Sequence, residues 1–157
     1  MASMVGGCLL LVALLTVVSP SLAHVTWESC GEGDVEVLNV TMTPDPAVRG
    51  GVFTFNLPAK TPRVIEGGHV SVFVFYKGIP VYFENDDLCV KTKCPITSDV
   101  FTFTNTQQLP SITPPGPYQL RIKASDLDGK PLFCAKMKFQ IVSGAESKSA
   151  PLLVASR

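Results

Sequence analysis

The sequence has no excess of either charge and few metal-ligating side chains. Its 13 lysines and arginines balance 13 aspartates and glutamates, and no run of like charge occurs. A protein that binds nucleic acid usually carries a basic patch or stripe. The chain also has only two histidines and no paired Cys-x-x-Cys spacing, so it lacks the ligand set of a structural zinc site. We therefore expect no nucleic-acid partner, no metal and no other cofactor.

Signatures of catalysis are missing too. The sequence contains no Gly-x-Ser-x-Gly elbow, no His-Glu-x-x-His motif and no glycine-rich phosphate loop. Asp126 and Asp128 are two residues apart, but their place at a predicted hairpin indicates solvated turn residues. Asp86 and Asp87 could touch a cation, yet they lack the further oxygen ligands that calcium needs. These absences favour a protein that is not an enzyme.

The sequence also lacks an apolar run long enough to span a bilayer, which takes about 20 residues. The unbroken apolar run Cys8–Val18 is followed by small residues at Ser21 and Ala23. We interpret residues 1–23 as a signal peptide cleaved after Ala23, with a membrane anchor as the alternative. The mature chain would then enter the secretory pathway and reach the extracellular space or a vacuolar or lysosomal lumen.

Four cysteines remain after such cleavage, and an even number in an exported chain indicates two disulfides. Three pairings are possible. Cys89 and Cys94 are close enough to close one short loop, which leaves Cys30 to bond Cys134 and join the first strand to the last. We predict this pairing.

The remaining sequence predicts an all-β fold. Thirteen prolines and twelve glycines separate short segments rich in Val, Phe, Thr and Ile, and no segment indicates a long helix. Apolar and polar residues alternate on both sides of Asp128-Gly129, which predicts an antiparallel hairpin. The tail 144–157 is rich in Ser, Ala and Lys and is expected to be disordered. The predicted strands are Val25–Cys30, Val35–Thr43, Gly51–Leu57, Val64–Tyr76, Ile79–Glu84, Val100–Thr106, Tyr118–Ser125 and Leu132–Val142.

The predicted strand around Val70 is apolar on both faces, which is unusual for a half-solvated antiparallel sheet. Either a loop covers one face, or one face lines a hydrophobic cavity. The aromatic side chains on the neighbouring strands supply more apolar area than a small two-layer core needs. The sequence cannot distinguish a dense core from a hollow one.

Two further features bear on function. If His24 were the new N-terminus, it could form a copper brace with His69, since imidazole suits copper; two solvent-facing histidines are the alternative. Asn39-Val40-Thr41 is an acceptor sequence for N-glycosylation, and the alternation of the strand predicts that Asn39 faces solvent.

A larger set of motifs resembles the ML lipid-recognition family, which includes the Niemann-Pick type C lysosomal cholesterol carrier and plant phosphatidylglycerol/phosphatidylinositol transfer proteins. The resemblance covers nearly all of residues 24–143, and the ordered cysteines are its most specific element. The matching segments are Trp27–Cys30, Thr43–Pro46 with Arg49-Gly50, Gly78–Phe83, Cys89 with Lys93–Ile96, Leu109-Pro110, Leu132–Cys134 and Gln140–Val142.

This resemblance implies an immunoglobulin-like two-sheet antiparallel sandwich, splayed around a lipid-sized cavity, that carries a sterol or phospholipid without catalysis. It implies a monomer that touches membranes or a membrane lipid receptor; an adhesion module with a solid core is the alternative. The sterol carriers place a bulky aromatic where this chain has Ala135, which argues against a tightly clamped sterol and leaves two alternatives, a wider cavity suited to acyl chains or a different sterol pose. The resemblance places Val81 and Phe83 on the cavity wall, and the apolar strand faces add Phe53, Phe55, Val72, Val74, Phe101, Phe103, Leu120, Ile122 and Phe139.

Overall fold

The computed structural model describes residues 24–97 and 99–144, which form two facing β-sheets and one short helix. This architecture confirms the predicted all-β sandwich. The predicted signal peptide, and all of the predicted tail except Gly144, lie outside the described residues. The large sheet contains β1 Thr26–Ser29, β4 Ala47–Val48, β6 Gly68–Tyr76, β7 Ile79–Asp87, β9 Gly116–Asp126 and β10 Pro131–Val142. The small sheet contains β2 Glu36–Val37, β3 Thr41–Thr43, β5 Val52–Lys60 and β8 Val100–Gln108, and the helix is α1 Leu88–Lys91.

The topology leaves one long strand of each sheet at an edge. The large sheet has the order β1-β10-β9-β6-β7, and β4 pairs with β10 in parallel. In the small sheet β5 is central, with β8 on one side and β2 and β3 on the other. A hydrogen bond of 2.6 Å from Gln107 Nε2 on β8 to Glu84 Oε2 on β7 shows that these two edges face each other.

The predicted hairpin is confirmed, with one correction at its turn. β9 and β10 are antiparallel, and Gly129 takes the positive φ of 78° that a tight turn favours. Asp126 has a turn role, since its Oδ1 accepts from the backbone N–H groups of Asp128 and Lys130. However, Asp126 is only 9% exposed. The prediction of a solvated carboxylate was therefore wrong for Asp126, because Arg63 covers it and donates a hydrogen bond of 2.8 Å.

Several strand predictions differ from the structure. The predicted strand 35–43 is split into β2 and β3, and β6 begins at Gly68 instead of Val64. A Cβ on Gly68 would lie 2.0 Å from the carbonyl oxygen of Ser125, so only glycine fits this approach to β9. β5 continues through Pro58, whose carbonyl faces away from β8 and accepts from Leu38 N beside the end of β2. The N–H that proline lacks would face the same side, so its absence removes no hydrogen bond to β8.

Both predicted disulfides are present, Cys30–Cys134 and Cys89–Cys94. The first joins neighbouring strands of one sheet, because the residues beside it, Ser29 and Ala135, are register partners of β1 and β10. An immunoglobulin domain instead places its conserved bridge between the sheets. The sandwich thus has immunoglobulin-like architecture without the immunoglobulin disulfide.

An ion cluster at the β9–β10 turn predicts how stability depends on pH. Arg63 Nε donates to Asp34 Oδ2 at 2.7 Å, and Lys130 Nζ reaches the same oxygen at 3.0 Å. Arg63 holds the pKa of Asp34 below its usual value. Burial opposes ionisation of Asp126, but Arg63 and the turn N–H groups outweigh it and lower the pKa of that carboxyl too.

Carboxyls with lowered pKa stabilise the folded state above their unfolded pKa, and that stability is lost as the pH falls through the folded pKa. We therefore expect a constant melting temperature from about pH 7 to pH 5 and a fall below about pH 4. Arg63→Met should lower the neutral melting temperature and flatten the acid fall, measured by circular dichroism. Lys123→Met, on an exposed position of β9, is the control. Acid profiles of equal slope in wild type and Arg63→Met would contradict this.

Candidate ligand cavity between the sheets

One end of the sandwich is hollow. A cavity of about 390 Å³ lies there between the two sheets, and most of its wall is apolar. This volume is within the range of about 300–1,000 Å³ usual for small-molecule sites. The cavity is lined by Phe53, Val72, Val74, Tyr76, Val81, Tyr82, Asn105, Gln107, Gln108, Leu109, Pro110, Ile112, Thr113, Pro114, Tyr118 and Leu120.

The inner faces of the long strands form the cavity walls, and a loop closes the end. Val74 on β6 is the register partner of both Leu120 on β9 and Tyr82 on β7, so one continuous apolar row crosses the large sheet. The β8–β9 loop is held in place by Tyr118, whose hydroxyl donates to the Pro114 carbonyl at 2.9 Å. Burial of this hydroxyl raises the pKa of Tyr118, with a further contribution from Tyr76.

The other end of the sandwich is densely packed. Phe55 and Phe103 are fully buried, and their ring centroids lie 6.2 Å apart. Phe133 meets Phe103 edge-to-face with centroids 6.3 Å apart. The interior therefore combines a solid core at one end with a cavity at the other, so neither sequence-based alternative describes the whole interior.

The cavity opens to solvent through apolar side chains. Ile112 is 88% exposed, and Val81 and Tyr82 are about half exposed although all three line the cavity. Ile79 is exposed at the nearby start of β7. The β6–β7 turn also carries Lys77, whose Nζ lies 5.3 Å from the ring centroid of the lining residue Tyr76. The mouth thus has an apolar rim, and Lys77 lies near it.

A polar cluster closes the seam between β7 and β8 beside the cavity. Lys91 of α1 pairs with Glu84 and with Asp86, whose Oδ2 lies 2.6 Å from Nζ. Burial favours the neutral amine, but these carboxylates outweigh it and raise the pKa of Lys91. Tyr82 donates to Glu84 at 2.9 Å, and burial followed by this carboxylate raises the pKa of Tyr82.

The acidic pair that precedes Cys89 has structural partners. Asp87 caps α1, where its Oδ1 accepts from Cys89 N at 2.7 Å, and Asp86 pairs with Lys91. Among residues 24–97 and 99–144, no group of three or more His, Cys, Asp or Glu side chains is placed to hold a metal ion.

Five of the predicted lipid-contacting residues line the cavity, namely Val81, Phe53, Val72, Val74 and Leu120. Phe55, Phe103, Ile122 and Phe139 are buried in the packed core, and Phe101 is half-buried against it. Ala135, considered above for its effect on cavity width, is fully buried and does not border the cavity. Its small side chain therefore does not widen the cavity.

Phe83 lies on the opposite face from the cavity. Its register partner is Phe73, and their ring centroids are 4.9 Å apart on the outer side of the large sheet. The pairing of β7 with β6 shifts between Val74 and Phe75, which leaves Val81 without a partner. This bulge turns both Val81 and Tyr82 toward the cavity, so alternation from Val81 to Phe83 does not hold.

Several lining residues were not predicted. Tyr76 and Tyr118 lie on the predicted inner faces, so the alternation of their strands could have identified them. The loop residues Ile112 and Pro114 carry no such signal, because a loop has no face period. Asn105 and Gln107 share the inward face of β8 with Phe101 and Phe103, so alternation turns them inward, but their polar side chains gave no reason to name them as lipid contacts.

The copper-brace alternative does not fit the structure. Thr26, close to His24, pairs with Lys138, whereas His69 is in register with Ser125. Lys138 pairs with Gln119 of β9, and Ser125 lies six residues further along that strand. The two histidines are therefore separated by about 20 Å or more along the sheet. His24 is also 82% exposed and contacts Asp45 at 3.4 Å.

Two other surface features can be located. Asn39 is exposed, as predicted, and its Oδ1 accepts from Val40 N. In the part of the chain that the structure describes, no helix has the length and apolar character to cross a membrane.

Comparison with known proteins gives a consistent picture. A family model described as ML domain matches residues 24–141. The chain is 29% identical over 126 residues to a putative phosphatidylglycerol/phosphatidylinositol transfer protein of Dictyostelium discoideum, covering 77% of this chain and 89% of that protein. It is 32% identical over 116 residues to the phosphatidylglycerol/phosphatidylinositol transfer protein of Candida albicans, covering 68% of this chain but only 60% of that longer protein.

Solved structures show the same fold. A Niemann-Pick type C2 protein from the Japanese carpenter ant superposes with a TM-score of 0.62 at 16% identity, covering 74% of this chain and 99% of the ant protein. At this identity the likeness establishes the sandwich fold alone.

Proposed function

The chain belongs to the ML domain family, and from this premise we propose that it binds a lipid in the cavity between its sheets and transfers it between membranes. The observation that carries the proposal is the cavity of about 390 Å³ with its mainly apolar wall. Burying apolar surface there contributes roughly 25 cal/mol per Å², without any chemical step. The function proposed is therefore non-catalytic carriage.

We propose a phospholipid of the phosphatidylglycerol or phosphatidylinositol type as the cargo. Relatives from an amoeba and from a fungus carry the name of such transfer proteins. An acyl chain suits the apolar wall, and Lys77 near the mouth offers a cation to an anionic phosphate outside the cavity. A sterol would use the same wall without the cation, so the transfer assay includes both classes.

The rim is suited to brief membrane contact. Exposed Ile79, Val81 and Ile112 can enter the headgroup region, where apolar side chains gain free energy from burial. We propose that the protein acts as a monomer in the secretory pathway, after removal of residues 1–23. Glycosylation at the exposed Asn39 stays a prediction of the same proposal.

Val81→Asp and Phe83→Asp form a matched test of the proposed cavity. Both side chains lie on β7 and are similarly exposed, at 53% and 59%, but only Val81 lines the cavity. A carboxylate at Val81 should hydrate the mouth and reduce the transfer of fluorescent phosphatidylglycerol between vesicles about tenfold. Phe83→Asp should retain most of the transfer.

Melting curves complete this test, because half-exposed sites tolerate a carboxylate with little loss of stability. A stronger transfer defect in Phe83→Asp than in Val81→Asp would place the lipid on the outer face and contradict the proposal. Transfer of a fluorescent sterol in place of phosphatidylglycerol would keep the carrier function and change the cargo.

A further inference from the structure

Asn105 is a polar residue in the wall of the cavity with a donor that has no protein partner. It is 3% exposed and lies on β8, in register with Phe55 of β5. Its amide nitrogen Nδ2 is buried and makes no hydrogen bond. Buried amide donors are nearly always paired, and an unpaired one opposes folding, so this donor is available to an acceptor that a ligand brings.

The orientation of the Asn105 amide is set by its neighbour. Lys91 Nζ donates to Asn105 Oδ1 at 2.8 Å. Because an ammonium group has no acceptor, the amide oxygen must face Lys91 and the NH₂ group must face elsewhere. Glu84 and Asp86 hold Lys91 in turn, and its side chain is only 10% exposed. The free donor is therefore held in place by a partly buried cluster.

The charge of this cluster selects the kind of acceptor that can approach. Glu84 and Asp86 outnumber Lys91, so the wall beside Asn105 carries a net negative charge. A phosphate brought there would be repelled and would also lose its hydration in an apolar cavity. A neutral oxygen with the same accepting ability meets neither cost.

We propose that Asn105 donates a hydrogen bond from Nδ2 to an uncharged acceptor of the bound lipid, namely an ester carbonyl of a phospholipid. This inference rests on the proposed function and adds an orientation to it. The ester region sits at Asn105, the acyl chain occupies the apolar cavity, and the charged headgroup stays at the mouth. Asn105 is a specificity residue for ester-linked lipids.

The test compares two lipids that differ only at the linkage. Diester and diether phosphatidylglycerol with the same chains are titrated against the full protein, with displacement of a fluorescent fatty acyl probe as the readout. Wild type should bind the diester about five- to tenfold more tightly, as expected for one hydrogen bond to a buried donor. Asn105→Asp keeps the acceptor for Lys91 and removes the donor, so this preference should disappear.

Asn56→Asp is the matched control. Asn56 lies on β5, where its Oδ1 accepts from Thr104 Oγ1 at 2.9 Å, and it does not line the cavity. The same amide-to-carboxylate change there should leave the diester preference unaltered, and melting curves verify that both variants fold.

Two outcomes overturn the proposal: equal affinity of wild type for the two lipids, or a diester preference that survives in Asn105→Asp. The first needs no variant, so the proposal is testable even if Asn105→Asp fails to fold. If wild type binds neither lipid, the proposed phospholipid function itself fails, which the displacement signal distinguishes from a loss of preference.

Discussion

Val74→Trp is expected to weaken lipid binding at least tenfold while the protein stays folded. Val74 lies at the centre of the apolar row between Tyr82 and Leu120 and borders the open space of the cavity. An indole can extend into that space and occupy volume that the lipid needs. Displacing about 60–100 Å² of lipid contact at roughly 25 cal/mol per Å² corresponds to about tenfold or more in affinity.

Val70→Trp is the control, because Val70 shares the inner face of β6 but lies 1% exposed in the packed core. Overpacking a dense site usually destabilises a protein by about 1–3 kcal/mol. Val70→Trp should therefore lower the melting temperature and retain lipid binding below it. Val74→Trp should weaken lipid binding and leave the melting temperature nearly unchanged. Fluorescent lipid titration and thermal melting measure the two effects.

If Val74→Trp were destabilised as strongly as Val70→Trp, the space beside Val74 would not be open in solution. The interior would then be solid throughout, and an interaction module would explain the protein better than a carrier.

Removing the Cys30–Cys134 disulfide is expected to have the largest effect on stability. It links residues 104 positions apart, and closing a loop of about 100 residues is worth up to roughly 4.7 kcal/mol in the chain-entropy model. That is a large share of the 5–15 kcal/mol of a typical domain. The double variant Cys30→Ala/Cys134→Ala should therefore unfold at a much lower urea concentration.

Cys89→Ala/Cys94→Ala provides the comparison, because this disulfide spans only 5 positions. The same model assigns it about 2 kcal/mol, so the order of the urea midpoints is predicted as well as their direction. A larger loss from the short loop than from the long one would show that Cys89–Cys94 acts through the folded state, where it holds α1 and the Lys91 cluster against β7.

The sequence predicted strands most reliably where one face of the strand is buried and the other is exposed to solvent. In β9 and β10 the apolar and polar residues alternate, and the observed pairing of Met137 with Leu120 follows from that period. Predictions were weaker where a side chain contacts a residue remote in sequence. At Gly68, the close approach of β9 decides where β6 begins. At Pro58, a residue type that usually interrupts a strand is tolerated, and β5 continues in register with β8.

The cavity shows the same division between local and remote information. Sequence patterns identified the apolar inner face of β6, so Val72 and Val74 could be named. They could not separate these residues from Phe55 or Ile122, which have the same character but lie where the sheets pack tightly. Whether an inward side chain meets a packed neighbour or open space depends on the local distance between the sheets, and no single strand encodes that distance.

The sequence by itself determined the all-β class, the hairpin and the apolar character of the interior, because each depends on residue type at short or regular spacing. It predicted the disulfide pairing from the closeness of Cys89 and Cys94, which left Cys30 for Cys134. Only the tertiary structure decided which end of the sandwich is hollow, that Phe83 faces outward past the bulge at Val81, and that Asn105, in the cavity wall, has a buried amide donor without a protein partner. These features arise from the pairing of β7 with β6 and from the packing of β8 against β7 and α1. The alternation within a single strand does not encode these contacts.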